Sequence, residues 1–210
     1  YPMIMIGKPT YDMKKLILLL FIPLVSFGQT ANEYFNNAIE KITNQDYYGA
    51  IADYTKAIEI DPNYVRAYAF RGDAKRLLND YNRAIADFTK AIEIDPNYDL
   101  AYAFRGDAKR LLKDYNGAIA DYTKAIEIDP NYDLAYAFRG VSKYYLEDYY
   151  GAIADYTKAI EIDPDFDYAY GSRANAKRAL GDSNGYCADM KEAARLGNDD
   201  AVKWVADRCN

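Results

Sequence analysis

VRAYAFRGDAKRLLNDYNRAIADFTKAIEIDPNY, residues 65–98, is followed directly by DLAYAFRGDAKRLLKDYNGAIADYTKAIEIDPNY, residues 99–132. These two stretches differ only at Val65-Arg66/Asp99-Leu100, Asn79/Lys113, Arg83/Gly117 and Phe88/Tyr122. A unit of this length cannot bury its own apolar face. Copies in tandem therefore predict a stacked array in which each unit supplies part of its neighbour's core.

Working outward with Pro62, Pro96, Pro130 and Pro164 as phase markers, the units start at 31, 65, 99, 133 and 167, and five of them cover residues 31–200. Small residues hold the eighth position of each (Ala38, Gly72, Gly106, Gly140, Ala174). Alanine holds the twenty-seventh throughout and the twentieth in four units, with Tyr186 in the fifth. Aromatics fill the fourth, seventeenth and twenty-fourth positions, the last as Tyr54, Phe88, Tyr122 and Tyr156. A small residue where two helix axes approach leaves room for a facing ring, so each unit reads as a helical hairpin. Asp80, Asp114 and Asp148 fall where they would cap the second helix, and the Asp-Pro-Asn/Asp sequence would end that helix and cap the next.

The spacing and these residues resemble the tetratricopeptide repeat family, most closely through units two to four. The resemblance implies an all-α, right-handed superhelical solenoid of about five hairpins over residues 29–200, closed by a C-terminal capping helix over 199–210. The chain departs from the family's pattern at the eleventh position, where Lys41, Lys75, Lys109, Lys143 and Lys177 stand in place of an aromatic. Its terminal units are atypical, as ends that must face water are expected to be.

An aspartate recurs at the twenty-third position (Asp53, Asp87, Asp121, Asp155, Asp189), and Arg71, Arg105, Arg139 and Arg173 precede the lysines by one turn. The expectation is a set of exposed ion pairs, worth about 0–1 kcal/mol each, so that Asp121→Asn should cost little. A ligand site is the competing reading.

Before the array, Met13-Lys14-Lys15 leads into a dozen mostly apolar residues, with Ser26 and Gly28 placed for a cut ahead of Gln29. Residues 13–28 read as a signal peptide, which predicts an exported protein, periplasmic or secreted. A membrane anchor is the alternative, but the stretch contains Pro23 and is shorter than the roughly 20 residues of a spanning helix. Residues 1–12 read as an upstream, non-native extension. The usage of Tyr, Asn, Asp and Ile is compatible with a bacterial source.

Without residues 1–28, which hold Lys8, Lys14, Lys15 and Asp12, 23 basic and 31 acidic residues remain, a net charge of −8. This acidity argues against nucleic acid or an anionic membrane surface as the main partner. Cys187 and Cys209 are the only cysteines. In an exported chain they could form a bridge worth about 3 kcal/mol that ties the closing helix down; two separate thiols are the other reading. With no histidine, no glycine-rich phosphate loop and carboxylates confined to repeat positions, the sequence points to no catalytic residue, no cofactor and no metal site.

Function is then sought in the surface that stacking creates. In the family that this chain resembles, the second, fifth, ninth, twelfth and thirteenth positions line the inner groove and bind an extended segment of a partner. Carried onto this sequence, they include Arg66, Asp73, Arg76, Asp107, Arg110, Tyr144, Tyr145, Tyr168, Asn175 and Arg178. The Asp73/Arg76 and Asp107/Arg110 pairs stand three residues apart, a spacing at which they would satisfy one another. Tyr144, Tyr145 and Tyr168 make the stronger binding candidate, because aromatics concentrate interface energy. The leading expectation is a non-catalytic scaffold for a peptide or protein; a carbohydrate- or envelope-polymer-binding module and a structural spacer are the alternatives.

Overall fold

The computed structural model describes residues 29–208, with side chains as far as Val205. Among these residues are 11 helices and no strand. The first five are α1 (Ala31–Thr43), α2 (Tyr47–Ile60), α3 (Val65–Leu77), α4 (Tyr81–Ile94) and α5 (Asp99–Leu111). They are followed by α6 (Tyr115–Ile128), α7 (Asp133–Tyr145), α8 (Tyr149–Ile162), α9 (Asp167–Ala179), α10 (Ser183–Arg195) and α11 (Asp199–Arg208). Odd-numbered helices up to α9 open the units and even-numbered ones close them. The expected signal peptide and upstream extension lie outside the described residues. Among the described residues no helix is long and apolar enough to cross a membrane.

Each first helix ends in a Schellman turn. In unit two the Asn79 N–H donates to the Arg76 carbonyl (2.9 Å) and the Asp80 N–H to that of Lys75 (2.9 Å). The turn needs a left-handed residue at the fifteenth position, held by Gln45, Asn79, Lys113 and Glu147 at φ of 60–64° and by Gly181 at 81°. The following aspartate then caps the second helix. Asp46, Asp114, Asp148 and Asp182 accept from the N–H of Gly49, Gly117, Gly151 and Gly185 at 2.8–3.0 Å. An added Cβ at these glycines would lie 2.1 Å from the other oxygen of the capping carboxylate, so a side chain there displaces the cap.

Unit two carries Arg83 at that position, and the Asp80 cap expected from the sequence is absent. The Asp80 carboxylate turns instead to the Arg83 guanidinium, 2.6 Å away. The cap expected from Asp-Pro-Asn also differs. Asp61, Asp95, Asp129 and Asp163 accept from the backbone two residues on, closing the turn on itself. At the cap position before the next helix stands Tyr64, Tyr98, Tyr132 or Phe166, whose side chain makes no cap hydrogen bond.

Within each hairpin the eighth position faces the twenty-fourth. An added Cβ would lie 2.7 Å from the Phe88 ring at Gly72, 3.1 Å from Tyr122 at Gly106 and 2.9 Å from Tyr156 at Gly140. Between hairpins, alanines make the contact, as in the buried cluster of Ala69, Ala91 and Ala101. Ala69 and Ala137, expected along the groove from their fifth position, are therefore buried in these seams, while Ala103, 7% exposed, keeps an edge on the inner face. Every helix packs on its sequence neighbours. Consecutive first helices also touch (α3 with α5, α5 with α7, α7 with α9), an approach that consecutive second helices do not match. The inner side of the solenoid is thus the first-helix side.

At the C-terminal end α11 covers unit five. Ala201 is buried, and Trp204 and Val205 pack on Tyr186, Met190 and Ala193, with the Trp204 and Tyr186 rings edge to face at 4.3 Å. Val202 of the same helix is 49% exposed. Cys187 is half-buried in the same cluster. Its expected partner, Cys209, lies outside the described residues.

Candidate binding groove

The inner face rests on a buried charged framework, not on the exposed pairs expected from sequence. In units two to five the guanidinium of Arg71, Arg105, Arg139 or Arg173 forks onto the aspartate of its own unit. For Arg105 and Asp121 the two bonds are 2.9 and 2.7 Å. The third nitrogen donates at 3.1 Å to a threonine of the preceding unit: Thr55, Thr89, Thr123 or Thr157. The lysine at the eleventh position takes the second carboxylate oxygen at 2.6–2.8 Å. Each of these arginines also lies over the tyrosine at its unit's fourth position, 5.4–5.6 Å from the ring centre. Asp87, Asp121, Asp155 and Asp189 are only 4–5% exposed. Two cations on one buried carboxylate resolve the like-charge spacing, and removing that carboxylate would leave both without a partner. Unit one has Asn37 where the arginine belongs, so Asp53 keeps Lys41 alone, at 2.6 Å.

On the groove side the paired charges form one continuous ladder. Arg76 binds Asp73 of its own helix at 2.8 Å and Asp107 of the next unit at 3.1 Å, and Arg110 binds Asp107 in turn. The ladder stops there because the next ninth position is Val141. Arg110 lies instead over the Phe138 ring, 5.3 Å from its centre.

Three hollows follow one another along this face. The first, about 210 Å³, lies between α5 and α7 and is lined by Phe104, Tyr122, Tyr132, Leu134 and Phe138, with Arg76 and Asp107 at its charged edge. In the second, about 150 Å³, four of the residues expected from sequence come together: Tyr144, Tyr145, Tyr168 and Asn175, beside Ser172 and Tyr156. The third, about 240 Å³, shares Tyr168, Ser172 and Asn175 with the second and adds Met190, Asn198 and Asp200. Burial pushes the phenols of Tyr122 and Tyr156 well above the usual range, the carboxylate of Asp107 adding to the effect at Tyr122, so both stay protonated.

Of the other residues expected in the groove, Arg76 and Asp107 edge the first hollow, while Arg66, Asp73, Arg110 and Arg178 line none of the three. Arg66 covers the Phe35 ring at 4.7 Å, and Arg178 covers Tyr186 at 5.3 Å. Tyr145, 58% exposed, stacks on Tyr115 of the preceding unit at 5.0 Å and 7°. The sequence reading missed Phe104 and Phe138 at the sixth position and Tyr122 at the twenty-fourth. The signal for the sixth was its run of Phe70, Phe104 and Phe138 on a face otherwise small or charged, ending in Ser172.

Comparison with known proteins agrees with this geometry. Profiles of the tetratricopeptide repeat match residues 34–64, 65–98, 100–132 and 134–166. Comparison with curated proteins yields no match. Among solved structures, MamA is similar at 27% identity over 82% of this chain and 94% of its own, with a TM-score of 0.70. PilW, described as a widely conserved type IV pilus biogenesis factor, shares 21% identity over 83% of this chain and 90% of its own, TM-score 0.72. YrrB, described as having an unusual peptide-binding site, shares 20% identity over 83% and 91%, TM-score 0.67. At those identities the likeness to PilW and YrrB is one of fold. Repeat profiles spanning most of the chain, on hairpins with the matching phase, place this protein in the tetratricopeptide repeat family.

Proposed function

We propose that this chain is an interaction scaffold that holds an extended peptide segment of a protein partner along its first-helix face. Proteins of this family are generally scaffolds for protein–protein interaction, which supports the reading at the level of class. The observation that carries it further is the row of three adjoining hollows, in which Tyr144, Tyr145, Tyr168 and Asn175 meet in one place. Tyrosine and asparagine there present rings for side chains and an amide for a peptide backbone. A peptide-binding site is described for YrrB as well, on a similar fold.

Selection of binders from a random peptide library tests the proposal. Tyr144→Ala and Tyr168→Ala should each weaken a selected peptide about tenfold or more while leaving the helical circular dichroism unchanged. Unchanged affinity in both variants would move the site off this face. Binding of glycans but not peptides would favour the carbohydrate reading, and binding of neither the spacer. We further propose export with cleavage ahead of Gln29 and a Cys187–Cys209 bridge, on the strength of the sequence pattern. Amino-terminal sequencing and thiol titration of the mature chain check the two together.

A further inference from the structure

The repeat carries its own version of the first hollow two periods upstream. Between α1 and α3 the fifth position of unit one is Phe35, where units two to four have alanine. Phe35 is only 2% exposed. Its ring lies 5.5 Å from that of Tyr54, 5.1 Å from Tyr64 and 5.7 Å from Phe70, and the Arg66 guanidinium covers it at 4.7 Å. Those four residues are the repeat equivalents of Tyr122, Tyr132, Phe138 and Leu134, which line the hollow between α5 and α7. Ala103 stands there in place of Phe35. Equivalent walls thus hold a ring after unit one and enclose open space after unit three.

We propose that the hollow between α5 and α7 is an anchor subsite for a phenylalanine side chain of the bound segment, seated as Phe35 is seated between α1 and α3. The inference rests on the groove reading above and names the residue that enters it. Size agrees, since an apolar cavity of about 150 Å³ accepts benzene and this hollow offers about 210 Å³. Charge agrees as well. Arg76 at its edge binds Asp73 and Asp107, and Asp107 also binds Arg110. A charged side chain would find no free counter-charge there, so the occupant is neutral. An aliphatic side chain would fill the space but forgo ring contacts of the kind Phe35 makes. One seam further on, between α7 and α9, the chain again supplies its own ring, with Tyr168 6.0 Å from both Phe138 and Phe166. At the hollow, Ala103 and Leu134 supply none.

N-acetyl-L-phenylalanine amide and N-acetyl-L-leucine amide, titrated separately into the ¹⁵N-labelled chain, test the subsite without a known partner. The phenylalanine amide should move the backbone resonances of Phe104, Leu134 and Phe138 and bind about fivefold more tightly than the leucine amide, the worth of one favourable ring pair. Ala103→Phe, which copies the unit-one residue into unit three, should fill the hollow and abolish those shifts while the helical circular dichroism stays unchanged. Equal binding of the two amides to the parent chain, no movement of these resonances, or shifts that persist in a folded Ala103→Phe chain would each overturn the anchor. Where that variant does not fold, the two titrations of the parent chain decide alone. The groove reading is judged separately, by the peptide selection with Tyr144→Ala and Tyr168→Ala.

Discussion

Between units three and four the floor of the groove is mostly rings; between unit five and the closing helix it is mostly small side chains and amides, beside Tyr168 and Met190. Phe104, Phe138 and Leu134 make the first floor. Gly171, Ser172, Asn175 and Asn198 make the second. Yet the framework beneath is the same in both. Arg105 and Arg173 fork onto Asp121 and Asp189 with bonds of 2.7–2.9 Å, and each reaches a threonine of the preceding unit at 3.1 Å. What differs is which residues face the groove. The repeat separates positions that stack units from positions that meet a partner, so recognition can change along the row while the stack does not.

The hardest test of that separation is to remove the framework in both regions. Asp121→Asn and Asp189→Asn should each cost about 3–5 kcal/mol in urea denaturation, because each strands an arginine and a lysine beside a buried site. Asp53→Asn should cost no more than about 1 kcal/mol, since Asp53 pairs only with a part-exposed lysine. A large gap between Asp121 and Asp189 would show that the groove residues contribute to stacking after all.

Glycine substitution sharpens the same contrast. Gly140→Ala places a Cβ 2.9 Å from the Tyr156 ring and should destabilise by about 1–3 kcal/mol. At Gly171 nothing lies within 4 Å of an added Cβ, so Gly171→Ala should stabilise by up to about 1 kcal/mol through helix propensity. It should also narrow the third hollow, which Gly171 lines. Thermal melts of the two variants moving in the same direction would contradict the geometry.

The smallest expected effect lies between the near-identical units. Asp114→Ala removes a helix cap and should cost about 1 kcal/mol. Asp80→Ala removes only an exposed pair with Arg83, so its cost should fall within about 0.5 kcal/mol. Equal costs would mean that the Asp80 carboxylate caps α4 in solution.

Period, hairpin and helix phase were legible in the sequence because they follow from local rules. A 34-residue repeat with alternating small and large positions admits few packings, and Pro, Asp and Gly mark the turns through backbone geometry alone. The placement of Tyr144, Tyr145, Tyr168 and Asn175 on one face was legible for the same reason, as helical spacing carried over from a known family of repeats.

Depth was not legible. Whether Asp121 is exposed or buried depends on how far Arg105 and the neighbouring unit close over it, and no pattern within one unit carries that information. Nor does a single unit show that Ala137 sinks into a seam or that Phe138 turns toward the groove. The residues themselves determined a row of helical hairpins with an inner face. Only the contact between hairpins decided which charges are buried and where the hollows open, because burial is a property of neighbours and not of sequence spacing.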